Sequence, residues 1–499
     1  MNTALFIPIV APLSGAAVCL LLRTRAKWQF AVASVAVAAL AASSAALLHF
    51  NWNNGPLASQ SAGWPAPFGI SLVSDLLTAL MLAVTAIVAI AVLLYSVNGL
   101  DSRRKHAGFY PLFLVLLAGV NGAFLTGDLF NLYVWFEVML ISSFVLLTLG
   151  GDRAQLQGAL KYVTLNLLSS ALFLAAAGLL YGAAGTLNLA DLAVKARDPA
   201  IMAEMSPVAA LLLGAFSIKA AVFPLFFWLP ASYHTPPVPI SALFAGLLTK
   251  VGVYSMIRVF SLVFAHDTGF THAVILGASG LTMLTGVLGA VHQTEIRRIL
   301  SFHIVSQIGY MIMGLGIFTV AALAGSVFYV VHHILVKTNL FLVAGLIRRA
   351  GGSFHLDELG GLYQRRLALA ALFLIPALSL AGVPPLSGFF AKLALVQAGL
   401  DAGQYVIVAV SLIAGLLTLL SMMKIWNEAF WKEAPAGPKI ERSGPALWGP
   451  SVLLGACTVG IGLAAGPVMA VSLRAAEELI NPSAYVSAVL GAKTWAAGF

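Results

Sequence analysis

Long, continuously apolar runs separated by short polar breaks make up almost the whole chain. Fourteen such runs can be marked: 4–22, 30–50, 70–95, 109–127, 129–149, 157–184, 207–229, 239–263, 271–292, 300–318, 321–347, 366–400, 404–430 and 447–475. A helix needs about 20 apolar residues to cross a bilayer, so each run is long enough to span. Strands of a membrane barrel would alternate apolar and polar residues, and these runs do not. The predicted fold is an all-α polytopic membrane protein of about 14 transmembrane helices.

Two runs are interrupted. Residues 207–229 contain Pro224, and residues 366–400 contain Gly382, Pro384, Pro385 and Gly388. Proline removes a backbone donor and clashes with the preceding turn, and the freed carbonyls survive at membrane depth only inside protein or along a wet cavity. The breaks lie five spans apart, an odd offset, so the matching helices run in opposite directions. That spacing predicts an inverted repeat; two unrelated proline kinks are the alternative it leaves open. The implied organisation is a three-helix segment at 1–108, a first repeat at 109–263, a second, inverted repeat at 264–430, and a C-terminal helix and tail at 431–499. Charges are not duplicated between the halves. Glu137 lies in the second span of the first half, whereas the matching span 300–318 carries only Gln307. Lys219 precedes its break, and Lys392 follows its own.

Composition fits a bilayer, with 60% hydrophobic and 9% charged residues. The net charge of +9 is unevenly placed. Sixteen of the 27 Lys and Arg fall in alternate short loops: Arg23, Arg25, Lys27, Arg103, Arg104, Lys105, Arg153, Arg297, Arg298, Arg348, Arg349, Arg365, Arg366, Lys432, Lys439 and Arg442. The intervening loops and tail carry only Lys195, Arg197, Arg474 and Lys493. This positive-inside pattern predicts both termini outside and argues against a nucleic-acid partner. Run 4–22 has no basic residue before it and three soon after, so it reads as a first helix, not a cleaved signal peptide. Cys19 and Cys457 both lie in apolar runs, which supports neither a disulfide framework nor a thiolate metal site.

Against this background a few charges stand alone. Glu137, Lys219, Lys250, Lys337 and Lys392 each interrupt an apolar run. A charge at a span's centre costs about 2.5–3.5 kcal/mol on insertion scales, so five cost roughly 13–18 kcal/mol. Glu137 sits roughly 12 Å along its helix. A structural ion pair between two helices is one reading of it; a titrating carboxylate paired with a lysine is the other. Burial disfavours a charged lysine and a nearby carboxylate favours it. At about 4 Å and an effective dielectric of 20 that attraction is about 4 kcal/mol, so making or breaking one contact can switch a lysine between holding and releasing its proton. Lys424 and Lys161 lie near span ends and are expected to snorkel. Asp75 and Asp128 are expected at the interface, and Thr249, Ser217, Ser306 and Asn339 are candidate water holders.

His332 and His333 lie near the middle of 321–347. His332 and Lys337 are five residues apart, about 140° around the helix, so they share a face only loosely. With no cysteine or carboxylate nearby, a zinc site is not expected, and a neutral histidine relaying protons is the better reading. There is no phosphate-binding G-x-x-x-x-G-K-[ST] loop and no cysteine cluster. Neither a metal nor a cofactor is expected. Energy must come from an ion gradient or a partner subunit.

Four long runs carry a resemblance: GDLFNLYVWFEVMLISSFVLLTLGG (127–151), SIKAAVFPLFFWLPASYHTPPVPISALFAGLLTKVGVYSMIR (217–258), HHILVKTNLFLVAG (332–345) and GVPPLSGFFAKL (382–393). They resemble the proton-antiporter membrane subunit family, which includes antiporter-like subunits of respiratory complex I and the Mrp-type multisubunit Na⁺/H⁺ antiporters. The FNLYVWFE wording favours the D-type branch of the Mrp antiporters. The resemblance implies fourteen helices, two inverted five-helix repeats, and broken seventh and twelfth helices. It also implies that Glu137 and Lys219 are a coupled pair, Lys250 a relay, His332 and Lys337 members of the central path, and Lys392 the exit site. Integral-membrane partner subunits are implied, along with the cell (inner) membrane of a prokaryote and exchange of protons for Na⁺ or a related cation such as K⁺ or Li⁺. The chain ends soon after its last span, so the lateral helix of the largest complex I subunit is not expected. A proton-pumping subunit of a redox complex, such as complex I or a membrane-bound hydrogenase, is the main rival. An inert membrane scaffold is a third reading.

Overall fold

Because hydrocarbon offers no hydrogen bonds, each apolar run satisfies its backbone internally and folds as a helix. The computed structural model describes residues 2–265, 268–434 and 444–491; Lys439, Arg442 and Lys493 lie outside them. Two helices, α1 (Ile7–Leu21) and α2 (Ala26–Asn54), precede a β1–β2 hairpin (Leu57–Gln60 and Ser71–Ser74), then α3 (Leu76–Gly99) and the short α4 (Ser102–His106). Then follow α5 (Phe109–Leu125), α6 (Leu129–Thr148), α7 (Arg153–Ala184), the short α8 (Leu189–Lys195), α9 (Pro199–Ala220), α10 (Trp228–Ser232) and α11 (Val238–Leu262). Next come α12 (Ala273–His292), α13 (Ile296–Ile317), α14 (Val320–Gly351), the short α15 (Leu362–Arg365), α16 (Leu367–Ala381), α17 (Ser387–Asp401) and α18 (Tyr405–Trp426). The chain closes with α19 (Pro445–Leu463), α20 (Ala465–Ile480) and α21 (Ser483–Leu490). Among the described residues eleven helices are long and apolar enough to span, and three shorter apolar ones, α1, α5 and α16, bring the count to fourteen.

Burial sorts the spans into an axis and a shell. The apolar stretches of α11 and α14 are wholly buried, and those of α3 and α13 nearly so. α11 and α14 pack on each other and on both α3 and α13, and α14 also touches α16, α17, α19 and α20. The outer spans present Ile141, Leu160, Leu179, Leu288 and Leu416 outward, as surfaces facing lipid or a partner helix do.

Both predicted breaks are present. α9 stops at Ala220, Ala221 takes a left-handed φ of 62°, and helix resumes only at Trp228. α16 stops at Ala381, Gly382 takes φ 94°, and α17 starts at Ser387. At the second break the half-helices nearly touch. A Cβ on Gly388 would stand 1.8 Å from the Ser379 carbonyl oxygen, so only glycine fits there.

Two boundaries differ from the expected ones. Run 70–95 opens as a strand, with Ser71 paired to Gln60 and Ser74 to Leu57. Asp75 sets the helix start by accepting a hydrogen bond from the Thr78 backbone N–H at 2.9 Å, which makes it an N-cap. Run 447–475 splits into α19 and α20 at Ala464, whose φ of −120° and ψ of 49° are not helical. Gly462 packs there against the Leu386 backbone of the second break, so the last span bends where the broken helix presses on it.

Candidate functional site

The predicted site residues fall along the buried axis and at the two breaks. Lys250 on α11 and His332, His333 and Lys337 on α14 are fully buried, and Lys219 nearly so. Glu137 and Lys392 are only half-buried, so the five lone charges are not equally enclosed. Both lie on outer spans whose far side faces away from the axis, so the chain seals the middle of the series and leaves its ends open.

Glu137 on α6 accepts a hydrogen bond from the Ser170 hydroxyl of α7. Of the ion pairs among the described residues, none joins Glu137 to Lys219. The Lys219 ammonium instead lies 5.5 Å from the ring centroid of Phe136, the neighbour of Glu137. Tyr162, Asn166 and Trp228 line a narrow cavity with Lys219. The resemblance implies a coupled pair, and the structure shows it parted, with Ser170 holding the carboxylate. Ser170 went unnoticed because one serine in an apolar run carries no signal by itself.

Lys250 donates to the Ala245 carbonyl on its own helix, and Lys337 donates to the Leu300 carbonyl of α13 at 3.2 Å. His332 turns elsewhere, its Nδ1 lying 2.8 Å from the Ser387 hydroxyl at the start of α17. Ser387 in turn lies 3.1 Å from Ser379 on α16. The loose angular relation read from the sequence therefore becomes two different neighbours. Lys392 donates to the Ala381 carbonyl at 2.9 Å, the last of α16, and stands 5.0 Å from the Tyr310 ring centroid.

Around these groups several buried polar atoms lack a protein partner: both ring nitrogens of His333, Nε2 of His332, Nδ1 of His303, the Thr249 hydroxyl and the Asn339 amide. Folded proteins satisfy such atoms with water, so the axis can be wetted. Thr249 and Asn339 fit the water-holding reading, whereas Ser306 donates to the Met283 carbonyl at 3.0 Å.

Two features escaped the sequence reading. Asp75 is not interfacial but almost fully buried, and it pairs with Arg258 of α11 at 2.5 and 2.8 Å. The Tyr254 and Thr78 hydroxyls lie 3.3 Å from the same guanidinium. The sequence reading gave Arg258 no role. At the basic end, a cavity of about 1150 Å³ is lined by Arg104, Arg297, Arg298, Arg348, Arg349, Glu295 and His234. Burial first, then the charges of Arg297 and Arg298, holds the His234 ring down at about 4. Among the described residues no three His, Cys, Asp or Glu gather as a metal site would require.

Fourteen spans, two broken helices and an interior series of ionisable groups define the architecture of ion-translocating membrane subunits. The chain belongs to the family described as "NADH:quinone oxidoreductase/Mrp antiporter, TM", which matches residues 126–418, more than half of it. It is 46% identical over 495 residues to the D-type subunit of the Na⁺/H⁺ antiporter of Alkalihalophilus pseudofirmus, covering 98% of this chain and 100% of that one. Against the D-type antiporter protein of Bacillus subtilis the identity is 39%, with coverage of 98% and 100%. Its fold is similar to a chain of the Mrp complex from Dietzia sp. DQ12-45-1b, with a TM-score of 0.93 and 34% identity over 98% of this chain and 99% of that one. A chain of the membrane-bound sulfane sulfur reductase, an archaeal respiratory membrane complex, matches with a TM-score of 0.90 and 26% identity, covering 98% and 100%.

Proposed function

We propose that this chain is a membrane subunit of a multisubunit Na⁺/H⁺ antiporter, in which it carries protons along Glu137, Lys219, Lys250, His332 or Lys337, and Lys392. The full-length likeness to D-type antiporter proteins carries the reading. The likeness to the sulfane sulfur reductase chain is weaker in identity, which ranks a redox-pump subunit second. The basic loops face the cytoplasm and both termini face outward, in the cell membrane of a prokaryote. Residues 109–263 and 264–430 act as the two repeats. Integral-membrane partner subunits cover the half-buried ends at Glu137 and Lys392.

The parted state of Glu137 and Lys219 supplies the first step. When Glu137 leaves Ser170 for Lys219, the attraction of about 4 kcal/mol favours the charged lysine; when it returns, Lys219 gives its proton up toward Lys250. Inward steps use water held by the partnerless atoms of His333, Thr249 and Asn339. Lys392 then releases the proton at the far break. Single substitutions in the assembled complex, assayed as Na⁺-dependent collapse of ΔpH in everted vesicles, test this. Glu137→Gln and Lys219→Ala are expected to abolish exchange with assembly retained, and retained exchange would sink the reading.

A further inference from the structure

A second line of polar groups runs between α13 and α18 and takes no part in the path above. On α13, His303, Gln307 and Tyr310 are spaced four and three residues apart, which puts them on one stripe. On α18, Ser411, Thr418 and Ser421 are buried, while Leu412, Ile413, Leu416 and Leu420 face outward. The two stripes meet rung by rung. His303 Nε2 lies 3.0 Å from the Ser421 hydroxyl, the Gln307 amide donates to the Thr418 hydroxyl at 3.5 Å, and the Tyr310 hydroxyl donates to the Ser411 carbonyl. Tyr329 of α14 donates to Gln307 and stacks on Tyr310 at 5.1 Å between ring centroids.

Each end of this ladder reaches something useful. Tyr310 is the ring beside Lys392. One turn beyond Ser421, Lys424 donates to the Val291 and Gln293 carbonyls at 3.1 and 2.8 Å, and Gln293 lines the large cavity at the basic end.

We infer that His303 is a proton-carrying residue on a second, cytoplasmic limb, which joins the inner cavity to Lys392 along α13 and α18 without passing through Lys219. The inference rests on the antiporter reading above. Its alternative is a purely structural rung, since polar side chains also hold membrane helices together. A structural rung needs one ring nitrogen. His303 is fully buried and holds its second nitrogen, Nδ1, without a protein partner. A proton taken at Nδ1 makes the imidazolium; loss of the Nε2 proton toward Ser421 returns the neutral ring as the other tautomer. Of the charged groups on the helices packed around it, Lys337 on α14 and Lys392 on α17 act on the ring. Both are lysines, and Asp401, the one carboxylate on those helices among the described residues, is the last residue of α17, so no carboxylate bonded to the ring traps the proton there.

The test is His303→Gln in the complete complex, since glutamine keeps a hydrogen bond to Ser421 and cannot carry the proton. ΔpH collapse in everted vesicles is expected to fall by about tenfold or more while partner subunits still co-purify. Exchange within about twofold of wild type, or failure of this variant to assemble, shows a structural rung and overturns the inference. Ser421→Ala, which leaves the histidine in place, is expected to lower exchange less than His303→Gln; an equal or larger loss also overturns it. Glu137→Gln in the same vesicles separates the two readings: if it alone stays active the antiporter path is wrong, and if His303→Gln alone stays active only the second limb is.

Discussion

The two helix breaks apply one electrostatic device in two ways. In each, an ammonium stands near the C-terminal end of a half-helix, where exposed carbonyls concentrate negative potential. At the first break Lys219 belongs to the last turn of α9 itself. At the second, Lys392 starts on the far half-helix and reaches back across the gap to the last carbonyl of α16. Among the described residues only the first has a carboxylate on a neighbouring helix, with Ser170 to hold it off. The architecture therefore duplicates the lysine's seat and not its switch. In the proposed path, that asymmetry sets the Glu137 end apart from the Lys392 end.

The comparison breaks most severely at Gly388. Its missing Cβ lets α17 approach the Ser379 carbonyl, where a Cβ would stand at 1.8 Å, closer than the 2.6 Å at which a Cβ on Gly252 would meet the Ala220 backbone at the first break. Gly388→Val is expected to cost about 3 kcal/mol or more by overpacking and to eliminate the assembled complex on native gels. A variant that assembles at wild-type levels would show that the half-helices can separate freely.

Lysine chemistry comes next in size. Arginine fills a similar seat but does not deprotonate. Lys392→Arg is expected to keep its partner carbonyl at Ala381 and the assembled complex, yet lose exchange by about tenfold or more. Lys219→Arg is expected to lose at least as much, because the Glu137 contact then locks the charge in place. Retained exchange in either variant, read in everted vesicles, would reduce that lysine to a structural cap.

Much of this was legible in the sequence. The spans, both breaks and the lone charges follow from the period of apolar residues and from Pro224, Pro384 and Pro385, because a bilayer leaves the backbone so few options. The partners of those charges were not legible. Ser170, Ser387 and Tyr310 are ordinary residues for a membrane helix and become significant only when packing sets them beside Glu137, His332 and Lys392. Asp75 was misread for the same reason. Its position at a span end suggested an interface, and only the fold reveals Arg258 opposite it.

A smaller effect separates the breaks by pH. The first broken helix leads through α10 to His234, whose ring is held at about 4 by burial and by Arg297 and Arg298. In the unfolded chain a histidine titrates near 6.5. The folded value is the lower one, so its contribution to stability is present above about pH 6.5 and is lost as pH falls toward 4. His234→Gln is expected to flatten the fall in Tm of the purified complex between pH 7.5 and pH 5, with little change at pH 7.5. An unchanged acid slope would show that the ring already binds its proton in the folded state.

The finest distinction lies in the two left-handed caps. Ala221 at the first break and Gly382 at the second hold φ of 62° and 94°. A left-handed conformation costs an L-residue roughly 1–2 kcal/mol, whereas glycine pays about 0.5–1 kcal/mol in lost chain entropy relative to alanine. Ala221→Gly should therefore gain about 1 kcal/mol or less, the strain removed exceeding the entropy added. Gly382→Ala should lose more than that, because the same strain appears and the new Cβ would lie 2.9 Å from the Lys392 side chain. Thermal melts of the two purified variants would then shift in opposite directions. A shift of the same sign in both would mean that the caps are not equivalent, and that Ala221 is held by its surroundings at no strain.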